Sequence, residues 1–218
     1  MLESAQNGDK PILVFFPGES EEQNSDGYMA DPAMAELVDA KAIFVRIPYT
    51  SDREKAPSGD SCVPTCKLTS DNPTRDFGVR TYPTFVVADK YGNEQFRIET
   101  KKPAAKELEG FFEKVASKVE DSTKKVQKNL DAATKAWSSK DRSTALKSIL
   151  KNFKDGFVGY DPVEGTVRLY NEIMEASRAE IASLKESGDA KGLKALKTAL
   201  KGTDAEKDAD EALKGLSS

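Results

Sequence analysis

Cys62 and Cys66 are the residues of this chain best suited to covalent or redox chemistry, and Val63-Pro64-Thr65 separates them. They are the only two cysteines in 218 residues, and the chain contains no histidine. Three chemistries fit a Cys-x-x-x-Cys pair of this kind. The most economical is a disulfide that pins a long polar loop. The second is a redox-active dithiol. Pro64 disfavours helical geometry at Val63, and if Pro64 opens a short helix, Cys66 falls in its first turn, where amide dipoles would lower a thiol pKa. Lys67 would reinforce that effect and Asp60 would oppose it. The third is a soft-metal site with Cys62 and Cys66 as thiolates and Met29 or Met34 as a thioether, a donor set suited to Cu(I). Two cysteines without histidine fall short of a four-coordinate structural zinc site. No resident metal or other cofactor is called for by the sequence.

An alternating first half has to position these residues. Residues 10–16 form an apolar run of buried-strand length closed by Pro17-Gly18, and residues 42–48 form another. Between them Asp31 reads as an N-cap with Pro32 at the first helical position, and the pattern continues through Met34, Leu37 and Val38. Residues 72–79 suit a short helix. Strands at 83–88 and 94–98 flank a turn at Asp89-Lys90-Tyr91-Gly92-Asn93. A helix from about residue 103 then carries Leu108, Phe111, Phe112, Val115 and Val119 at three- and four-residue steps. The predicted order is βαβαββα.

The second half reads as helical throughout. Asp121-Ser122 suits the cap of a helix bearing Val126, Leu130, Ala133 and Trp137, and Asp141 the cap of one running to Gly156. Asp161-Pro162 opens the longest helix of this half, closed by Gly188, and short helices around Leu193–Leu200 and Leu213–Leu216 follow. Each has one apolar stripe, so the stripes must be buried against a neighbour. We therefore expect an α/β domain over residues 1–119 and an all-α domain over residues 120–218, although no Gly/Pro cluster marks the boundary and one nearly continuous helix could cross it.

Composition bounds the function. Hydrophobic residues make up 38% of the chain and charged residues 32%, as in a globular protein. No apolar run reaches the roughly 20 residues that cross a bilayer. The net charge of -4 argues against a nucleic-acid partner. It is divided unevenly, with ten Lys and Arg against seventeen Asp and Glu in residues 1–100, and twenty-three against twenty in the remainder.

The stretch Arg80-Thr81-Tyr82-Pro83-Thr84-Phe85-Val86-Val87 carries a resemblance. Its Tyr-Pro-Thr loop entering a strand, together with the βαβαββα order, resembles the thioredoxin-like superfamily over roughly residues 8–119. The resemblance implies a cis Tyr82–Pro83 bond and a loop that faces the redox site. It also exposes a departure. Thioredoxins carry Cys-x-x-Cys just after the first of these strands, whereas residues 17–29 here contain no cysteine and four carboxylates. In that fold the first two strands end, and the Pro83 loop enters its strand, at one sheet edge, which a long loop after the second strand would let Cys62 and Cys66 reach. Glutathione transferases share the domain pairing, but their Glu-Ser pair is missing at Gly92-Asn93-Glu94-Gln95, and the peroxiredoxin pattern is absent. The helical half is similar to tails that follow thioredoxin-like domains in some bacterial envelope proteins.

The functional expectation is therefore a binding protein that has lost the usual active site. Tyr82, Pro83, Thr84, Tyr28 and Met29 form the expected contact surface for a peptide or protein partner, including one that bears a thiol. The alternative is a thiol-disulfide oxidoreductase, electron carrier or soft-metal binder using Cys62 and Cys66. A stable disulfide and the envelope resemblance would both place the protein in the periplasm or outside the cell, with the cytoplasm as the other location.

Overall fold

A computed structural model describes residues 1–19, 31–52 and 62–216. The chain divides into two compact units, Met1–Pro57 with Thr65–Ser122, and Ser58–Pro64 with Thr123–Ser218.

The first unit is built on a four-stranded mixed sheet in the order β2-β1-β3-β4, with β1 Ile12–Phe16, β2 Ile43–Arg46, β3 Thr84–Ala88 and β4 Glu94–Glu99. β1 pairs parallel with β2 and antiparallel with β3, and β3 pairs antiparallel with β4. Every residue of β1 and β3 is buried. Apolar runs of this length, lacking alternation, are what a strand covered on both faces requires. One face, with Leu13, Phe15, Phe85 and Val87, packs against Met34 and Val38 of α2 (Pro32–Lys41) and against Leu108, Phe112 and Val115 of α4 (Ala105–Ser138). The other face, with Ile12, Val14, Phe16 and Val86, packs against Ala5 of α1 (Leu2–Gly8), Leu68, Phe77 and Val79. A short helix α3 (Pro73–Asp76), capped by Asn72, precedes β3. The element order after α1 is the expected βαβαββα.

Local signals placed these elements well. Asp31 caps α2, accepting from the Ala33 N–H at 3.0 Å, with Pro32 in the first turn. One element is new and one expectation is corrected. The helix α1, which covers the second sheet face, was not foreseen, because seven residues carry little periodicity. Pro64 does not open a helix. A 3₁₀ turn spans Lys67–Thr69, and Cys66 stands at its N-cap in extended geometry.

Beyond residues 62–64, the second unit contains the end of α4 with α5 Arg142–Asp155, α6 Asp161–Glu186, α7 Ala190–Ala199 and α8 Ala205–Leu216. The cap expected at Asp121-Ser122 is not used, because α4 runs unbroken through it. Asp and Ser inside a helix cost only about 0.5 kcal/mol each, whereas opening the helix there would forfeit several backbone hydrogen bonds. Asp141 does cap α5, accepting from the Thr144 N–H at 3.0 Å. The core gathers Leu146, Ile149 and Phe153 of α5, Tyr170 and Ile173 of α6, and Leu193, Leu196 and Leu200 around α7. A polar knot crosses it. Asn152, 2% exposed, donates to the Val126 carbonyl at 3.1 Å and the Thr166 hydroxyl at 3.0 Å, and accepts from Asn129 at 2.8 Å. Gly165 lets α6 approach α4, since a Cβ there would come 2.8 Å from Leu130 Cδ2. No described helix is long and apolar enough to cross a membrane.

Candidate functional site

The proline loop occupies the edge of the first sheet where β1 ends and β3 begins. Thr84 is fully buried and pairs with Phe16, the last residue of β1. The Thr84 hydroxyl donates to the Thr81 carbonyl at 2.7 Å, and the Pro83 carbonyl accepts from the Thr100 N–H at 2.9 Å, so the loop is held from both ends. The Tyr82–Pro83 bond is cis. Tyr82 and Pro83 are each half-buried. The Tyr82 ring meets Tyr49, three residues beyond β2, with ring centres 5.2 Å apart and planes at 66°. The ends of β1 and β2 and the proline loop therefore share one edge, as the resemblance implied. Tyr28 and Met29, expected to complete this surface, lie outside the described residues.

Neither cysteine forms a disulfide; both are free thiols. Cys66 belongs to the first unit, where its Sγ donates to the Tyr91 carbonyl at 3.4 Å. Tyr91 sits in the β3–β4 turn, at the opposite end of β3 from Pro83. Five strand residues at about 3.3 Å each put roughly 17 Å between those ends. The sequence placed Cys66 within reach of the proline loop, and the structure does not bring it there. Cys62 belongs to the second unit, where its Sγ donates to the Tyr170 hydroxyl at 3.3 Å. Burial pushes the Cys62 thiol pKa up, with the Tyr170 hydrogen bond acting in the other direction and the nearby Asp204 carboxylate adding to the rise. Burial, then the Cys62 hydrogen bond, raises the Tyr170 hydroxyl as well. A neutral, hydrogen-bonded thiol is a poor nucleophile. Met34 is buried under α2 on one sheet face while Cys66 packs on the other, so these two do not converge as soft ligands. Met29, the other thioether considered, lies outside the described residues.

Two features escaped the sequence reading. The Asp89 carboxylate, 2% exposed, accepts from the N–H groups of Tyr91 at 2.9 Å and Asn93 at 3.0 Å, and from the side chains of Asn93 at 2.9 Å and Gln95 at 3.2 Å. An aspartate that closes a turn in this way is signalled by Asp-x-x-Gly-Asn. Beside this turn is a cleft of about 280 Å3, floored by Phe112, Val115 and Val119 of α4 and rimmed by the Lys90–Asp9 ion pair at 2.9 Å. Its floor is the same helical stripe that the sequence assigned to core.

No family model, curated protein or solved structure matches the chain.

Proposed function

We propose that the first unit is a thioredoxin-like module that binds an extended peptide segment of a protein partner at the Tyr82-Pro83-Thr84 loop, without dithiol chemistry. The observation that carries this reading is the meeting of Tyr49 and Tyr82 at the sheet edge where β1 and β2 end, beside Pro83. Two half-buried tyrosines there offer rigid apolar ring area, the side-chain type that anchors protein interfaces, although the Tyr82 hydroxyl itself is buried. Supporting it are the sheet order and pairing, the absence of cysteine from the loop after β1, and the commitment of each thiol to a partner of its own.

The runner-up, thiol-disulfide exchange through Cys62 and Cys66, draws on their spacing alone. A periplasmic or secreted location now rests on the envelope resemblance, because two free thiols supply no disulfide argument for it.

Peptides selected from a phage-displayed random library on the immobilised protein separate the two readings. We expect them to keep their affinity for the Cys62→Ser, Cys66→Ser double variant and to lose tenfold or more on Tyr49→Ala with Tyr82→Ala. Reduction of insulin disulfides by the dithiothreitol-primed protein, lost in the double serine variant, would instead establish the oxidoreductase.

A further inference from the structure

The helical unit concentrates its positive charge on one hairpin. Residues 123–155, the end of α4 with α5, hold nine Lys and Arg against three Asp, whereas residues 156–218 hold nine against twelve Asp and Glu. The lysines are ordered by the helices. On α4, Lys128 and Lys135 are two turns apart, on the side opposite the buried Val126, Ala133 and Ala136. On α5, Lys147, Lys151 and Lys154 follow the i, i+4, i+7 spacing opposite Leu146, Ile149 and Phe153. Lys140 lies in the connection. All six are exposed, and none has an ion-pair partner among the described residues.

The two ridges form one surface. Asn129 and Asn152 bond at 2.8 Å and Lys125 and Asp155 pair at 2.7 Å, so α4 and α5 lie side by side, and both ridges point away from the core that they share. The remaining charges of the hairpin are small offsets. Asp131 lies on the α4 ridge and accepts from Gln127 at 2.7 Å, Asp141 caps α5 by accepting from the Thr144 N–H at 3.0 Å and also feels the charge of Lys147, and Arg142 is committed to Glu180 at 2.7 Å.

We propose that this lysine face of α4 and α5 docks on an anionic lipid bilayer surface. Its chemistry selects that partner. The hairpin's one arginine is already paired, so no guanidinium fork is free for bidentate phosphate recognition of nucleic acid. The Trp137 indole is half-buried and donates to Glu172 at 2.7 Å, so it is not available to stack on bases. Large exposed hydrophobics among the described residues are Met1 and Leu216, neither on this face, so the apolar anchor at the centre of a protein interface is missing. An array of hydrated ammonium groups binds diffuse negative charge, and four to eight of them on a helical surface suit an anionic leaflet. The overall charge of -4 does not oppose this, because charges more than about 8 Å from the contact are screened at physiological salt.

Co-sedimentation of the full chain with phosphatidylcholine vesicles containing about a third phosphatidylserine tests the proposal, beside pure phosphatidylcholine vesicles. We expect binding to the anionic vesicles alone, weakening steeply as salt is raised from low to physiological strength. Lys147→Gln, Lys151→Gln and Lys154→Gln together should weaken it about a hundredfold, roughly fivefold per lysine. These side chains are exposed and unpaired, so the variant's circular dichroism should be unchanged. The control, Lys191→Gln with Lys194→Gln on α7, should bind like the wild type. Equal binding to both vesicle types, no binding to anionic vesicles at low salt, equal loss in the control, or tighter binding to double-stranded DNA or polyglutamate than to vesicles would each overturn the proposal.

Discussion

The Cys62 thiol and the Tyr170 hydroxyl share a hydrogen bond of 3.3 Å, and the same oxygen accepts from the Asp204 N–H at 3.3 Å. One tyrosine oxygen thus ties the segment at Cys62 to the start of α8. The tyrosine itself is 1% exposed and packs edge to face on Phe153, with ring centres 5.2 Å apart. Removing its hydroxyl leaves two donors without an acceptor, so Tyr170→Phe should lower stability by about 1–2 kcal/mol in urea titration.

Protonation gives the same contact a pH dependence. The folded Cys62 pKa is raised, first by burial, so the folded protein holds the thiol proton more tightly than the unfolded chain does. The resulting stability is fully present below the ordinary thiol value of about 8.5 and is lost as pH rises through the raised folded value. The difference in melting temperature between wild type and Cys62→Ala should therefore narrow from pH 7 to pH 10. A constant or widening difference would contradict the neutral thiol.

Asp89 closes the β3–β4 turn by accepting four hydrogen bonds. Asp89→Ala leaves buried donors unpaired and should cost about 3 kcal/mol. Asp89→Asn should cost less, because its carbonyl oxygen still accepts from the Tyr91 and Asn93 amides while its NH2 faces two other side-chain donors. Urea denaturation of both variants checks the order.

Gly92 adopts φ +87°, and a Cβ there would come 3.0 Å from Cys66 Sγ and 3.0 Å from Leu68 Cδ1. Gly92→Ala combines backbone strain with that crowding and should cost about 2 kcal/mol. Cys66→Ala removes one of the two contacts, so a double-mutant cycle should show partial rescue. Strict additivity would place Cys66 elsewhere.

Asn152 joins α5 to α4 and α6 through three hydrogen bonds in the buried core. Asn152→Ala should destabilise by about 2–3 kcal/mol, and more than Asn129→Ala, whose partly exposed amide is replaced by water. Thermal melts of the two variants give the comparison.

What the sequence determined by itself is what neighbouring residues enforce on one another. Asp31 before Pro32 caps α2, and Asp141 caps α5, because a side-chain oxygen reaches an N–H two or three residues on whatever the surroundings. The apolar runs over residues 10–16 and 42–48 announced β1 and β2, of which β1 is buried throughout whereas β2, at the edge of the sheet, is only partly buried. The βαβαββα order followed from such signals, whereas the meeting of the ends of β1 and β2 with the proline loop was implied by the resemblance that the Tyr82-Pro83-Thr84 stretch carries. The tertiary structure decided the rest. It carried α4 through Asp121-Ser122, where a potential cap weighs less than an uninterrupted helix. It recruited Leu2–Gly8 as a helix to cover a sheet face, a need that no seven-residue window displays. It also separated the fates of two cysteines four positions apart. Cys66 was drawn to Tyr91, 25 positions away, and Cys62 to Tyr170, 108 positions away. Caps and strands depend on chemistry within a few residues. A thiol's partner depends on which distant surfaces packing brings to it, and spacing along the chain carries no record of that.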